Sequence, residues 1–245
     1  MSIFLKLAFL FFIGSIAGWV IELLFRRFIS TANSERKWIN PGFCMGPYLP
    51  LYGCGLCVLY LLASLEKYEW IADPIWNKVV LFVLMAVGMT VIEYFAGLIS
   101  LKLAKVRLWD YSDEWGNIQG IICPRFSLIW AALGAVYYFF IHPLILDALK
   151  WLSNNLAFSF VVGMFFGIFV IDVIYSAQLV AKLKKFAEDN DIIVRYEHFK
   201  EHVRTMQIKA KHKPRFLFLR PDRPISEYLK EYKITLEALR KKYKK

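Results

Sequence analysis

What the first three quarters of this chain lacks is charge. Of 31 Lys and Arg and 20 Asp and Glu, residues 1–181 hold only 12 and 11. Cysteine is also scarce, with four in all at 44, 54, 57 and 123, and their spacing offers no paired extracellular framework. Cys54-Gly-Leu-Cys57 has the CxxC spacing but lies in an apolar run without the βαβ setting of a redox motif, so it reads as packing. The chain has no Gly-x-x-x-x-Gly-Lys-[Ser/Thr], so any ATPase has to be a separate subunit. The sequence calls for no cofactor and no metal.

What is present in place of charge is apolar sequence. Hydrophobic residues make up 58% of the 245, too many for a soluble domain of this size. Five runs, near 3–25, 47–65, 79–104, 120–146 and 158–181, approach the length that crosses a hydrocarbon core of about 30 Å at about 1.5 Å per residue. The second is the weakest, being short and interrupted by Pro50, Gly53 and Gly55. The fold class is therefore an all-α polytopic membrane protein of about five transmembrane helices, with a bundle over 1–181 and a basic helical tail over 182–245.

The tail holds 19 Lys and Arg against 9 Asp and Glu. Attached to membrane spans, it suits anionic lipid or an acidic protein, and nucleic acid is not expected. Loops 26–46 and 102–119, which share its side, carry seven basic residues; loops 66–78 and 147–157 carry three. The asymmetry places the N-terminus outside and the C-terminus in the cytoplasm.

Small-x-small spacing at Ser15-Ile16-Ala17 resembles a signal-peptide cleavage site, but the charged n-region is only Lys6 and the apolar run continues to Phe25, so a retained first helix is expected. Polar residues inside the spans are few and patterned. In the first run Gly14 and Gly18 form a small-xxx-small face that Glu22 continues, with Arg26 four residues on as its partner. In the third, Thr90, Glu93, Gly97 and Ser100 draw a stripe down one face. A carboxylate at the depth of Glu93 costs about 2.5–3.5 kcal/mol on insertion scales unless paired or hydrated. The fifth run carries Asp172 at similar depth, and Gly163-x-x-x-Gly167 as a second close-packing face.

Two connecting stretches are unusual. Asn40 to Gly55 contains three Pro and four Gly, so no simple straight helix passes through it. Its backbone is either broken at membrane depth, which is tolerable only when buried in protein or lining a wet cavity, or an ordinary loop before a Pro-started helix. Trp109 to Trp130 alternates aromatic rings with acids and amides. The expectation is that 109–125 folds against Asn40–Tyr52, with Asp110 and Arg125 as the charge pair, worth about 3–5 kcal/mol if desolvated.

A weak internal repeat relates the first two runs to the next two. Each pair has Glu in its first helix, a Trp-containing loop (Trp38, Trp109) and a Gly-x-x-x-Pro start (Gly46–Pro50, Gly120–Pro124), as a parallel repeat would. Tyr68, Trp70 and Trp76 suit interfacial anchoring on the opposite side.

The tail divides into two amphipathic segments. Ile192, Tyr196, Phe199, Val203 and Met206 line one; Ile225, Leu229, Tyr232, Leu236, Leu239 and Tyr243 line the other. A basic, Pro-containing linker with an apolar Phe216–Leu219 break joins them. The pair either packs on itself or docks a partner or lipid.

Several motifs together resemble a bacterial family, the putative ABC-transporter type IV membrane proteins. They are Gly18-Trp19-x-x-Glu22, Asn40-x-Gly42-Phe43-x-x-Gly46-Pro47-x-x-Pro50-x-Tyr52-Gly53, Glu93-Tyr94, Trp109-Asp110-Tyr111-Ser112, Asn117-x-x-Gly120-x-Ile122-Cys123, and Trp130. The chain has Pro41 and Ile121 where members usually carry Arg, and Arg125 is a stand-in for the second. The resemblance implies a permease-like role in the bacterial cell membrane, with a separate ATPase subunit as a possible partner. The cytoplasmic Glu-Ala-Ala loop of ABC importer permeases is missing.

The candidate pathway for a substrate or ion comprises Glu22, Glu93, Asp172, Arg125, Asn40, Tyr52, Trp109, Asp110, Tyr111 and Asn117. Three carboxylates facing one interior suit a cation, a proton relay or a cationic solute. The alternatives are an intramembrane enzyme on a lipid head group, with the Glu pair as acid and base and Arg125 on phosphate, or a non-catalytic scaffold.

Overall fold

The fold is that of a computed structural model, which describes all residues except 31, 32, 34, 69–72, 210–222 and 244–245, and the backbone alone over 237–243. Trp70, the Phe216–Leu219 break and the side chains of Leu239 and Tyr243 lie outside the described part.

Helix α1 (Ile3–Phe28) begins at Ser2, whose Oγ accepts the Leu5 N–H at 3.3 Å. It ends on Arg26 and Arg27, cations at the negative end of the helix dipole. Helix α2 (Pro50–Ala63) starts with proline, which has no amide to leave unpaired in a first turn. Helix α3 (Pro74–Ala104) also starts with proline, capped by Asp73, and stops where Lys105 turns left-handed at φ 54°. Helices α4 (Pro124–Val136) and α5 (His142–Asn154) run on through a π-turn over Tyr137–Ile141. Pro143 has no N–H to donate there, and the His142 amide bonds Tyr137 O instead. Helix α6 (Ser159–Asp189) leads to a two-residue strand, β2 (Val194–Arg195), and to helices α7 (Tyr196–Lys209) and α8 (Ile225–Tyr243). Strand β2 pairs in parallel with β1 (Val106–Arg107).

Among the described residues four helical stretches, Ile3–Phe28, Pro74–Ala104, Pro124–Asn154 and Leu156–Asp189, are long and apolar enough to cross a membrane. Helix α2, with 14 residues, spans only about 21 Å at 1.5 Å per residue. The chain still passes from one end of the bundle to the other between Pro50 and Pro74, because α3 runs its full length back to the end where α1 stopped. Residues 35–49, the 105–123 loop and α7 therefore share one end, joined by the β1–β2 pairing and by bonds from α7 to residues 38–43.

Gly14 and Gly18 do face α2: a Cβ at Gly18 would collide with the Tyr52 ring, and one at Gly14 would press on Leu56. Gly163 and Gly167 correct the expectation for α6. Nothing lies within 4 Å of a Cβ built at either, and Phe160, Met164, Ile168 and Ile171 around them are exposed. The packed face of α6 is the opposite one, where Phe165, Phe166 and Phe169 meet Phe11, Phe12 and Tyr48. Aromatic rings, not small residues, set the α1–α6 separation. The tail's two segments pack on each other and on the end of α6, burying Leu183, Phe199, Val203 and Tyr228 with Val106 and Val194.

Candidate functional site

The broken stretch before α2 has its backbone groups divided between two elements. Its amides go to α6: Met45 N–H and Gly46 N–H donate to the two Asp172 oxygens at 3.1 and 2.7 Å. Tyr48 Oη donates to Asp172 Oδ2, and Ser176 Oγ to Oδ1 at 2.9 Å. Four of its carbonyls go to α7. Tyr196 donates to Phe43 O at 3.2 Å, Lys200 to Gly42 O and Asn40 O at 3.1 Å each, and Arg204 to Trp38 O at 3.1 Å. The three donors are four residues apart, so one edge of α7 meets a receding row of acceptors. Buried main-chain groups outside a helix need such partners. Asn40 closes the turn from within, accepting from Trp19 Nε1 at 2.6 Å and donating to Met45 O at 3.1 Å.

Glu22 is held at the start of α2. Tyr52 Oη donates to its Oε2 at 3.1 Å and Arg26 Nε to its Oε1 at 2.8 Å. The same guanidinium reaches Glu197 Oε2 on α7 at 3.2 Å, and Lys200 Nζ stands 3.0 Å from Glu197 Oε1. A chain of alternating charge thus runs from the end of α1 into the tail. Burial pushes the Glu197 carboxyl up, but Lys200 and Arg26 outweigh it and hold it below the ordinary range.

Glu93 is 2% exposed. Tyr111 Oη donates to its Oε1 at 3.1 Å. The Trp130 indole faces the carboxyl, yet Oε2 has no hydrogen bond of ordinary geometry. The Trp130 ring also meets the Tyr52 ring, with centroids 5.2 Å apart, so the Glu22 and Glu93 clusters adjoin across Tyr52 and Trp130. Burial and the facing carboxylate push the Tyr111 hydroxyl up, which keeps it a donor at neutral pH. Thr90 and Ser100 of the expected stripe bond back to their own helix, at Ala86 O and Gly97 O.

The 105–123 loop folds onto α3 and α4. Trp109 Nε1 donates to Ile121 O at 2.8 Å, and both residues lie over Gly97, where a Cβ would strike Ile121. Tyr111 stacks on Phe126 at 4.2 Å. Asn117 donates to Ser112 O and Glu114 O and accepts the Gly120 N–H at 2.9 Å. Gly120 itself has φ +66°, and a Cβ there would collide with Arg107 and Ser112.

The expected Asp110–Arg125 pair does not form. Asp110 takes Arg107 at 2.7 Å and, from the tail, Arg195 at 3.0 Å. Arg125 meets Glu114 at 2.9 Å with 69% of its side chain exposed. Three residues separate Arg107 from Asp110, against fifteen for Arg125, and β pairing brings Arg195 alongside. Burial pushes Asp110 up, but hydrogen bonds from Ser112 and the Arg107 charge hold it below the usual carboxylate range.

The candidate residues thus fall into groups. Glu22, Tyr52, Glu93 and Tyr111 come together; Asp172 and Asn40 brace the broken segment; Trp109, Asp110 and Asn117 shape the second loop; Arg125 stands apart. Sequence reasoning missed Glu197, Lys200, Arg204, Tyr48 and Arg195. The four-residue spacing of Tyr196, Lys200 and Arg204 was the available signal, and it was masked by reading that helix for its apolar face alone. Among the described residues no group of three or more His, Cys, Asp or Glu could hold a metal ion.

Residues 9–177 match the family described as Putative ABC-transporter type IV. No curated protein and no solved structure matches the chain.

Proposed function

This chain belongs to the Putative ABC-transporter type IV family, and on that footing we propose a permease-like membrane subunit that passes a proton, a small cation or a cationic solute by way of Glu93 and Glu22. The observation that carries the reading is Glu93: buried to 2% exposure, faced by the neutral donors Tyr111 and Trp130, with no cation among its described partners. A carboxylate so placed in a membrane span is costly unless it takes up a proton or a positive ligand. Glu22, Tyr52 and Trp130 extend that polar spot toward the tail end of the bundle.

The excess of basic residues at that end supports a cytoplasmic position for it, where a separate ATPase subunit would find the tail and the 105–123 loop. The lipid-head-group enzyme draws no support from Arg125, which is exposed and turned to Glu114.

Cation flux into liposomes holding the purified chain tests the proposal, with proton, sodium, potassium and methylammonium supplied in turn. Wild type should move at least one of them and Glu93→Gln should abolish that movement while remaining folded. Equal flux in both, or none in wild type with or without an added ATPase, would sink it.

A further inference from the structure

The Lys200 ammonium is held as a ligand would be. Two of its protons reach main-chain carbonyls, Asn40 O and Gly42 O, at 3.1 Å each. Glu197 Oε1 lies 3.0 Å away, in ion contact but off the hydrogen-bond axis. The Tyr196 ring lies under the charge, its centroid 5.2 Å from Nζ. The lysine side chain is 11% exposed. Burial pulls the ammonium below the ordinary lysine range, and Glu197 opposes that pull.

These partners are unusual for a lysine that only pins a helix to a bundle. A surface lysine finds a flexible carboxylate and keeps its water. Here most of the coordination comes from carbonyl oxygens in a non-helical stretch wedged between helices. In membrane transporters such stretches supply the oxygens that coordinate cations. A carboxylate and an aromatic face complete a set suited to a primary ammonium, whose three donors and compact charge fit two carbonyls and an acid.

We infer that the Asn40 and Gly42 carbonyls, the Glu197 carboxylate and the Tyr196 ring form a binding site for a cation of the primary-ammonium class, which the tail fills with its own Lys200. The inference rests on the cation reading above and narrows it to amines. Lys200 is then a tethered competitor at high effective concentration. Arg26 links the site to Glu22 by bonding both Glu197 and Glu22, at 3.2 and 2.8 Å. An amine leaving Glu22 meets next a cage already matched to it.

The test shortens the tether and supplies the missing part in solution. Lys200→Ala removes three carbons and the nitrogen, which n-propylammonium replaces. Lys200→Leu keeps the stem to its δ-carbons, and methylammonium replaces the rest. The full-length chain in nanodiscs is unfolded by heat with each amine, and with sodium chloride or tetramethylammonium chloride at equal ionic strength. Each variant should gain a saturable rise in midpoint from its matching amine, half-complete at a concentration at least tenfold below any effect of the two control salts. Wild type should gain none, and adding Glu197→Gln to either variant should remove the rise. Should Lys200→Ala not fold, Lys200→Leu carries the test alone. Equal shifts in wild type and variant, or no amine effect beyond the control salts, would overturn the inference. Flux is not read in this experiment, so a chain that binds the amine and moves no cation keeps the site and loses only the transport reading.

Discussion

Tyr111 and Glu93 lie eighteen residues apart in sequence, and the Tyr111 hydroxyl returns to the Glu93 carboxylate at 3.1 Å. That bond ties the second loop to the middle of α3. Tyr111→Phe takes the phenol donor from a buried acid, at a cost of about 1–3 kcal/mol. Chemical unfolding in detergent should show that loss, while Tyr68→Phe, at a ring 59% exposed, should change nothing measurable.

The two glycine pairs should respond oppositely. Gly18→Ala drives a methyl into the Tyr52 ring and should destabilise by about 1–3 kcal/mol. Gly163→Ala and Gly167→Ala meet open space, and each should stay within about 0.5 kcal/mol of wild type. Thermal midpoints of the three variants check the contrast, and a large loss at Gly163 would show a neighbour packed on that face.

Arg125→Ala should cost about 0–1 kcal/mol, since its contact with Glu114 is largely exposed. Asp110→Asn weakens bonds to Arg107, Arg195 and Ser112 at once, and about 1–3 kcal/mol is expected. Denaturant midpoints that reversed this order would restore the Asp110–Arg125 pairing.

Acid should loosen the tail end first. Asp110 and Glu197 are both held below their ordinary ranges, whose reference values are 3.8 and 4.5. A carboxyl depressed by folding adds stability that is complete above its unfolded pKa and is lost as pH falls through the folded one. Stability should therefore decline below about pH 4. Asp110→Asn should flatten the decline, and an unchanged acid limb would remove Asp110 from it.

Ending the chain at Arg195 should expose the carbonyls of residues 38, 40, 42 and 43 together. Cys44, 3% exposed in the intact chain, then becomes reachable. A thiol reagent should modify it at least tenfold faster in the truncated protein, with Cys54, Cys57 and Cys123 replaced by alanine in both. Equal rates would mean that the segment stays closed without the tail.

Much of the bundle was legible because membrane burial writes itself into composition: runs of apolar residues, Pro at helix starts, and glycines where α1 meets α2. The Pro50 and Pro124 starts each follow an extended residue. Helix α6 misled because Gly-x-x-x-Gly marks where a close approach is possible, and Phe165, Phe166 and Phe169 had already fixed the contact on the other face. The partner of the 40–52 segment was hidden for a different reason. Sequence exposes side chains, and what Asp172, Lys200 and Arg204 recognise there is main chain. Asp110 was assigned its partner by position on a loop; a nearer arginine and one delivered by β pairing were better placed.

Because α7 grips residues 38–43 through their carbonyl oxygens, side chains there act on the contact by shaping the turn, as Asn40 does from within and Gly42 does at φ +76°. Replacing Ile39 removes no acceptor, whereas Phe43 also packs its ring against the clusters around Cys44 and Val106. Adding or deleting one residue between Trp38 and Phe43 instead slides the whole row past donors fixed a helical turn apart, and all of the contacts are lost in one event. The segment is therefore strict in length, and in spelling at Asn40 and Gly42.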